Sequence, residues 1–447
     1  MRNRWTLIAV PLLLVGLLAA CGDDDDEAGT GDDDTTDTDN GDGGGGGEDT
    51  GRVNLLFAGE PDEASGIQEV FDELINSDAE YQAEVEASGN FEEQLQIRAE
   101  GGTLDVAMLP QPGTLPALAE SGVLTSLEDL GFDIAELEET FGEAFMALGE
   151  FEGEHYGLPT NINLKSMVWY PKDDFDAAGY EVPETWDDMI ALSDQIVADG
   201  SSPWCVGFQS EGSTGWPATD WMEDIVLRTA GADVYDQWWQ HEIPFDDPAI
   251  VTAAETFGEI MFADDYVLGG AENTTNVAFG DAPLPMFEDP PNCWLHRQAS
   301  FIDTFFPDDA EAGVDYDWFP LPPIDQEGIL FAGELTVIGT AGNRPEVKDL
   351  LERFISEEVQ CATGEAAARI SPNVNVESDC YGNENLGRAA EVLAEANEAG
   401  TGRFDASDLM PAEVGSGSFW TAMVEYVQGG SADAAAGLLA DVEASWP

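Results

Sequence analysis

Between residues 52 and 110 the hydrophobic pattern switches period repeatedly, and this alternation constrains the fold more than any other feature of the chain. VNLLFAG (53–59) is a short apolar run, DEASGIQEVFDELINS (62–77) is amphipathic at helical spacing, and YQAEVEA (81–87) alternates. FEEQLQIRAEGG (91–102) is helical again, and LDVAMLP (104–110) reads as a strand buried on both faces. Strand, helix, strand, helix, strand in this order predicts a parallel α/β sheet with right-handed crossovers. Such sheets gather ligands beyond the carboxyl ends of their strands. Those positions hold Glu60 after the first strand and Gln111 after the third.

Further along, Thr185-Trp186-Asp187-Asp188 forms a capping box that opens a helix over 186–200. PAIVTAAETFGEIMFA (248–263) is a second helix, and 279–301 is rich in turn residues. ILFAGELTVIG (329–339) reads as a strand, and Asn343-Arg344-Pro345 leads into the helix EVKDLLERFIS (346–356). The last hundred residues are mostly helical and no internal repeat is visible. PWCVGFQSEGSTGWPATDW (203–221) has no sustained period and reads as a loop, yet it carries Trp204, Trp216 and Trp221.

The first twenty residues have the layout of a secretory signal: Arg2 and Arg4, then the apolar run WTLIAVPLLLVGLLAA, too short for a comfortable membrane span. Leu18-Ala19-Ala20-Cys21 resembles the lipobox of bacterial lipoproteins, which implies lipidation of Cys21 and cleavage before it. An ordinary signal site is the alternative. Residues 21–51, nearly all Gly, Asp, Glu and Thr, cannot bury enough surface to order themselves and read as a self-repelling spacer. The expected location is the outer face of the cell membrane, reached by a lipid anchor only.

Net charge is −78, from 92 acidic and 14 basic residues. Thirteen acids lie in 22–51 and two arginines in the leader, so the body holds 79 acids against 12 bases, about −67. Such a surface repels nucleic acid and anionic lipid. Self-repulsion on this scale is tolerable where salt shortens the Debye length to about 3 Å, which predicts an exported, salt-requiring protein, taken here as a monomer. Beyond Cys21 the cysteines are Cys205, Cys293, Cys361 and Cys380, an even number in an exported chain, which favours two disulfides over a zinc site. Three pairings exist; Cys361 with Cys380 as a local clasp and Cys205 with Cys293 between distant loops is preferred.

Hydrolase, zinc-protease, P-loop and dinucleotide motifs are absent from the sequence, and the three histidines are scattered. No catalytic role, metal or cofactor is expected. With so many acids, paired carboxylates occur by chance. Aromatics are more informative: Trp204, Trp216, Trp221, Trp294 and Trp420 lie in or beside Gly/Pro/Ser-rich segments. Flat rings beside small residues and carboxylates suit a cleft that stacks sugar rings while polar groups take the hydroxyls.

Lipobox, linker, βαβαβ opening and helical tail together resemble the extracellular solute-binding proteins of bacterial ABC importers, the sugar-binding group that includes maltose-binding protein. Within it, GWPATDWMEDIVLRTAG, EIPFDDP, FGDAPLPMFEDPPNCWLHRQASF and VDYDWFPLPPID are similar to the α-glucoside-binding branch. The resemblance implies an α/β fold of two lobes, type II and maltose-binding-protein-like, with hinge crossovers near GLPTNINLKSMVWY, near PLPPIDQEGILF and after about 375. Lobe 1 is then 52–162 plus 326–378, and lobe 2 is 163–325 plus 379–447. Glu60 and Gln111 fall at the first lobe's polar ligand positions, Asn163 at the hinge, Trp294 at the second lobe's stacking aromatic, and Trp420 at the tail's platform. Trp216 and Asp220 are added from GWPATDW. The implied function is capture of a carbohydrate, an α-glucoside or other disaccharide, for a membrane permease. A secreted glycoside-acting enzyme and a sugar-sensing surface protein are the alternatives.

Overall fold

β1 (Arg52–Ala58), β2 (Gln82–Ser88) and β3 (Val106–Leu109) run parallel, with Leu55 opposite Val85 on one side and Val106 on the other. The helices Pro61–Leu74 and Phe91–Glu100 connect them, as the alternation predicts. Glu60 sits at the N-cap of the first helix, where its backbone N–H donates to Glu63 Oε2 at 3.0 Å and Pro61 supplies the preorganised first turn.

Beyond β3 the sheet is mixed rather than parallel. After β4 (Leu124–Thr125) and a small hairpin of β5 (Glu150–Phe151) and β6 (Glu154–His155), β7 (Gly157–Leu164) runs through the molecule with every residue buried. β8 (Met167–Tyr170), β9 (Ser202–Trp204), β10 (Cys293–Arg297) and β11 (Asp317–Pro320) form a second sheet in the order β11-β8-β10-β9. The chain then returns as β12 (Ile329–Gly339), which pairs antiparallel with β3, β4 and β7, while β13 (Gly402–Phe404) pairs with its first residues. The larger sheet therefore has the path β13-β12-β3-β1-β2, with β4 and β7 also on β12. An 11-residue strand can serve so many partners because it is long enough to give each end a different one.

Residues 165–166 carry the chain from β7 of the larger sheet to β8 of the smaller, and 321–328 carry it back from β11 to β12. Apolar clusters cover both faces of the larger sheet. A separate one gathers β8, β10 and β11 with the helices Trp216–Ala230, Pro248–Met261 and Trp420–Gly429. Disulfides join Cys205 to Cys293 and Cys361 to Cys380, with Cα atoms 5.5 and 5.7 Å apart. The computed structural model describes residues 51–447, all within one compact unit. The stretch expected to be a signal peptide, Cys21 and nearly all of the expected spacer lie outside the described residues. Among those described, no helix is long and apolar enough to cross a membrane.

Candidate functional site

Where the parallel strands end, the chain opens into a cavity with about 830 Å³ of empty space, the open solvent at its mouth included. Ala58 to Glu60 follow β1, Ser88 and Gly89 close β2, and Pro110 and Gln111 follow β3, so one wall is built from the carboxyl ends that the alternation singles out. Facing it are Trp216 and Asp220 from the first turns of their helix, Asp408 from Ala406–Leu409, and Trp420 at the start of its own helix. β7 and β12 supply Asn163 and Glu334, and the crossing that follows β7 supplies Lys165.

Six of the seven residues proposed from sequence, Glu60, Gln111, Asn163, Trp216, Asp220 and Trp420, thus line a single cavity. Trp294 does not, and this corrects the carry-over. It lies within β10, flanked by β8 and β9, with its indole edge-on to Tyr180 at 5.0 Å and its N–H donated to Ser201 Oγ at 3.0 Å. The residue of NCWLHR that reaches toward the site is Arg297, whose Nη1 lies 3.5 Å from Asp220 Oδ2, an ion pair without a hydrogen bond.

The tryptophans of 203–221 divide in the same way. Trp204 is fully buried, donates to Ser193 Oγ at 3.1 Å and packs edge-on against Trp221 at 5.1 Å, and Trp221 continues onto Phe257. Those two are core. Only Trp216 of the three reaches the cavity, held by Phe279 at 5.3 Å, Phe301 at 6.1 Å and the Lys165 ammonium 5.4 Å from its ring centre. The segment is also not wholly a loop, because Trp216 starts a 15-residue helix with Pro217 in its first turn.

Lys165 is the residue that orders the Trp216 wall. Its Nζ donates to Asp220 Oδ1 at 2.9 Å and Asp405 Oδ2 at 2.7 Å, with Asp408 Oδ2 at 4.0 Å. Burial opposes its charge, but the three aspartates outweigh burial and raise its pKa well above the ordinary lysine value. Burial pushes Asp220 up to about 6 against the pull of Lys165. Burial and the neighbouring Asp405 charge carry Asp408 well above the carboxylate range. For Asp405 burial is outweighed by Lys165 and by hydrogen-bond donors, which hold it at about 2.

Across the cavity Arg369 forks between Glu63 Oε1 and Glu334 Oε1, each at 3.1 Å, and lies over the rings of Phe57 and Phe301. Glu63 is pushed by burial to about 7 despite Arg369. The remaining buried polar atoms point to a ligand rich in hydroxyls. Gln111 Oε1, Asn163 Oδ1, Glu334 Oε2 and the Trp420 indole N–H have no protein partner, although each residue is at least nine-tenths buried and lines the cavity. A buried polar atom left alone is costly, so a site that keeps several is built to have them satisfied by a guest.

Sequence reasoning missed Lys165, Arg369, Glu334 and Asp408. A signal existed: with 12 bases among 79 acids in the body, each basic residue stands out, and Lys165 and Arg369 are buried at this cavity. Among the described residues no cluster could hold a metal ion.

Residues 58–360 match the family model described as bacterial extracellular solute-binding protein. The alpha-glucosides-binding periplasmic protein AglE of Rhizobium meliloti is 42% identical over 366 residues, 79% of this chain and 78% of the relative. The osmoprotective compounds-binding protein GgtB of a Synechocystis species is 40% identical over 366 residues, 81% and 85% of the two chains. Among solved structures, the bacterial solute receptor AcbH superposes with a TM-score of 0.75 over 88% of this chain and 97% of that one, at 17% identity. A maltose-bound MalE3 of T. maritima gives 0.70 over 88% and 99%, at 15% identity, so the two-lobed maltose-binding-protein-like fold is kept where little sequence is. The chain belongs to the bacterial extracellular solute-binding protein family.

Proposed function

We propose that this protein is the substrate-binding component of an ABC importer, and that it holds an α-glucoside of disaccharide size in the cavity and passes it to a membrane permease without transforming it. The observation that carries this reading is the pairing, within one cavity, of two tryptophans with buried acceptors that have no protein partner. Ring faces take the apolar side of a sugar, and Gln111, Asn163 and Glu334 accept its hydroxyl protons. The relative named for alpha-glucosides supports this ligand class, and the one named for osmoprotective compounds supports a small solute.

We assign 52–162 plus 326–378 to lobe 1 and 163–325 plus 379–447 to lobe 2, with Lys165 at the first crossing. β13, from the lobe 2 tail, touches the first residues of β12 as the chain passes the hinge. Lipidation at Cys21, with the acidic spacer holding the body off the membrane, is part of the same proposal.

The test is calorimetry in molar NaCl with sucrose, maltose, trehalose and isomaltose. At least one should bind with micromolar affinity or better, and Trp420→Ala should weaken it at least tenfold. Absence of heat with all four sinks the α-glucoside assignment, and recovery of shortened or hydrolysed sugar sinks the non-enzymatic one.

A further inference from the structure

At the rim of the cavity the two walls meet through residues that do not line it, Gly113 with Leu409 and Met410, and Asn90 with Glu211. Gly113 lies in the turn Pro112–Thr114 after β3, and a Cβ there would sit 2.1 Å from the Met410 carbonyl oxygen and 2.6 Å from that of Leu409. Leu115, two residues on, is buried with the larger sheet, while Met410 is buried with the cluster around the smaller one. Backbone therefore meets backbone between the two halves, and no rotamer change can relieve a methyl group placed between them. The Gly113 backbone is not left-handed, so alanine is acceptable to the turn itself and intolerable only to its neighbour across the cleft.

The 88–92 rim shows a second meeting. Asn90 Nδ2 donates to Glu211 Oε2 at 3.3 Å, and Ser213 Oγ donates to Glu92 Oε2 at 3.2 Å. Glu211 has φ +43°, a conformation that glutamate keeps only where surroundings hold it. Glycines flank this contact too: a Cβ on Gly89 would lie 2.6 Å from Glu211 Oε2, and one on Gly212 would lie 2.8 Å from Asn90 Oδ1. There the opposing atom is the end of a flexible side chain and can give way. The two edges differ in kind, one a hard stop and the other a yielding clasp.

We propose that Gly113 sets how far the cleft closes and that the Asn90–Glu211 contact latches it, so that these positions tune affinity from outside the ligand's reach; this rests on the lobe assignment and ligand class proposed above. A ligand gripped by both walls binds in proportion to the population in which the walls meet. A wedge at Gly113 lowers that population without altering any ligand contact.

The full mature protein is compared with Gly113→Ala, Glu211→Gly and the control Gly437→Ala, whose added methyl would meet nothing within 4 Å. Calorimetry with the tightest of the four sugars should show Gly113→Ala weakened 10- to 100-fold, Glu211→Gly weakened 3- to 10-fold, and the control unchanged, while the ligand-free melting temperature of Gly113→Ala stays within about 2 °C of wild type. Wild-type affinity in Gly113→Ala overturns the proposal. So does a large drop in its ligand-free melting temperature, which would make the contact part of the resting fold. A readout without ligand separates this failure from failure of the ligand class: in an Asn90→Cys/Glu211→Cys protein, oxidation should cross-link the rims, and adding Gly113→Ala should slow it at least tenfold. Equal rates overturn the gauge whatever the protein binds.

Discussion

Lys165 and Arg369 reach the cavity from segments that cross between the sheets or lie beside the crossing, the latter next to Ile370, which bridges Ile162 of β7. Both are buried and both are committed to carboxylates. Lys165 is a point charge that gathers aspartates from the helix Trp216–Ala230 and from the tail, with Glu223 buried behind them. Arg369 is a planar fork that spans two glutamates, Glu63 on the first helix and Glu334 on β12. A compact ammonium can sit at the centre of several acids, whereas a guanidinium fixes two at a set spacing. The first arrangement organises a wall built from distant parts of the chain, and the second ties a helix to a strand. In both, acids outnumber the base, and burial raises the pKa of Asp408, Glu63 and Glu334 above the ordinary carboxylate value.

Removing the point charge should have the largest effect. Lys165→Met leaves Asp405 and Asp408 buried without their cation and Asp220 with only the Arg297 guanidinium at 3.5 Å, and breaking a buried pair from one side costs about 3–5 kcal/mol. Urea unfolding in molar NaCl measures it. Adding Asp405→Asn to that variant should recover part of the loss, because neighbours in one network do not add. A loss below about 1 kcal/mol for Lys165→Met would mean that the aspartates are held by something else.

The raised carboxyls give the clamp a pH signature of unusual sign. Glu63 titrates near 7 in the folded protein against 4.5 ordinarily. The folded state therefore binds more protons in this window, and its contribution is full below 4.5 and lost as pH rises through 7. Asp220, near 6 instead of 3.8, has the same sign, while Asp405, near 2, acts oppositely but only below 3.8. Melting temperature should rise between pH 8 and pH 5. In Glu63→Gln, which imitates the protonated acid, that rise should shrink by the equivalent of about 2–3 kcal/mol. An unchanged slope in the variant would separate Glu63 from the effect.

Most of the scaffold was legible because its periods are clean. ILFAGELTVIG is β12 residue for residue, and the first three strands and two helices fall where the alternation puts them. The helix Trp216–Ala230 escaped because Pro217 through Arg228 are buried on all sides, which erases the amphipathic period, and because Gly-Ser-Thr-Gly precedes it. Within the site, Glu60 and Gln111 followed from strand ends alone. Trp294 misled because a matching motif locates a segment but not the direction of its side chain. Lys165 and Arg369 were lost in a bulk charge count that treated surplus acid as the message, when the scarce bases mark where acids are brought indoors.

The smallest predicted effect separates geometry from charge. Arg369→Lys keeps the positive charge near Glu63 and Glu334 but replaces a fork with a single ammonium, which can meet one carboxylate well and not two. It also gives up the flat contact with Phe57 and Phe301, whose ring centres lie 5.2 and 5.4 Å from the guanidinium carbon. The loss of one charge-assisted hydrogen bond at a buried acid is worth about 2 kcal/mol. A drop of that size in urea unfolding, with sugar affinity also reduced because Glu334 is no longer held toward the cavity, supports the distinction. If Arg369→Lys is as stable and binds as tightly as the parent, a point charge serves the clamp as well as it serves the Lys165 cluster, and charge balance alone governs both walls.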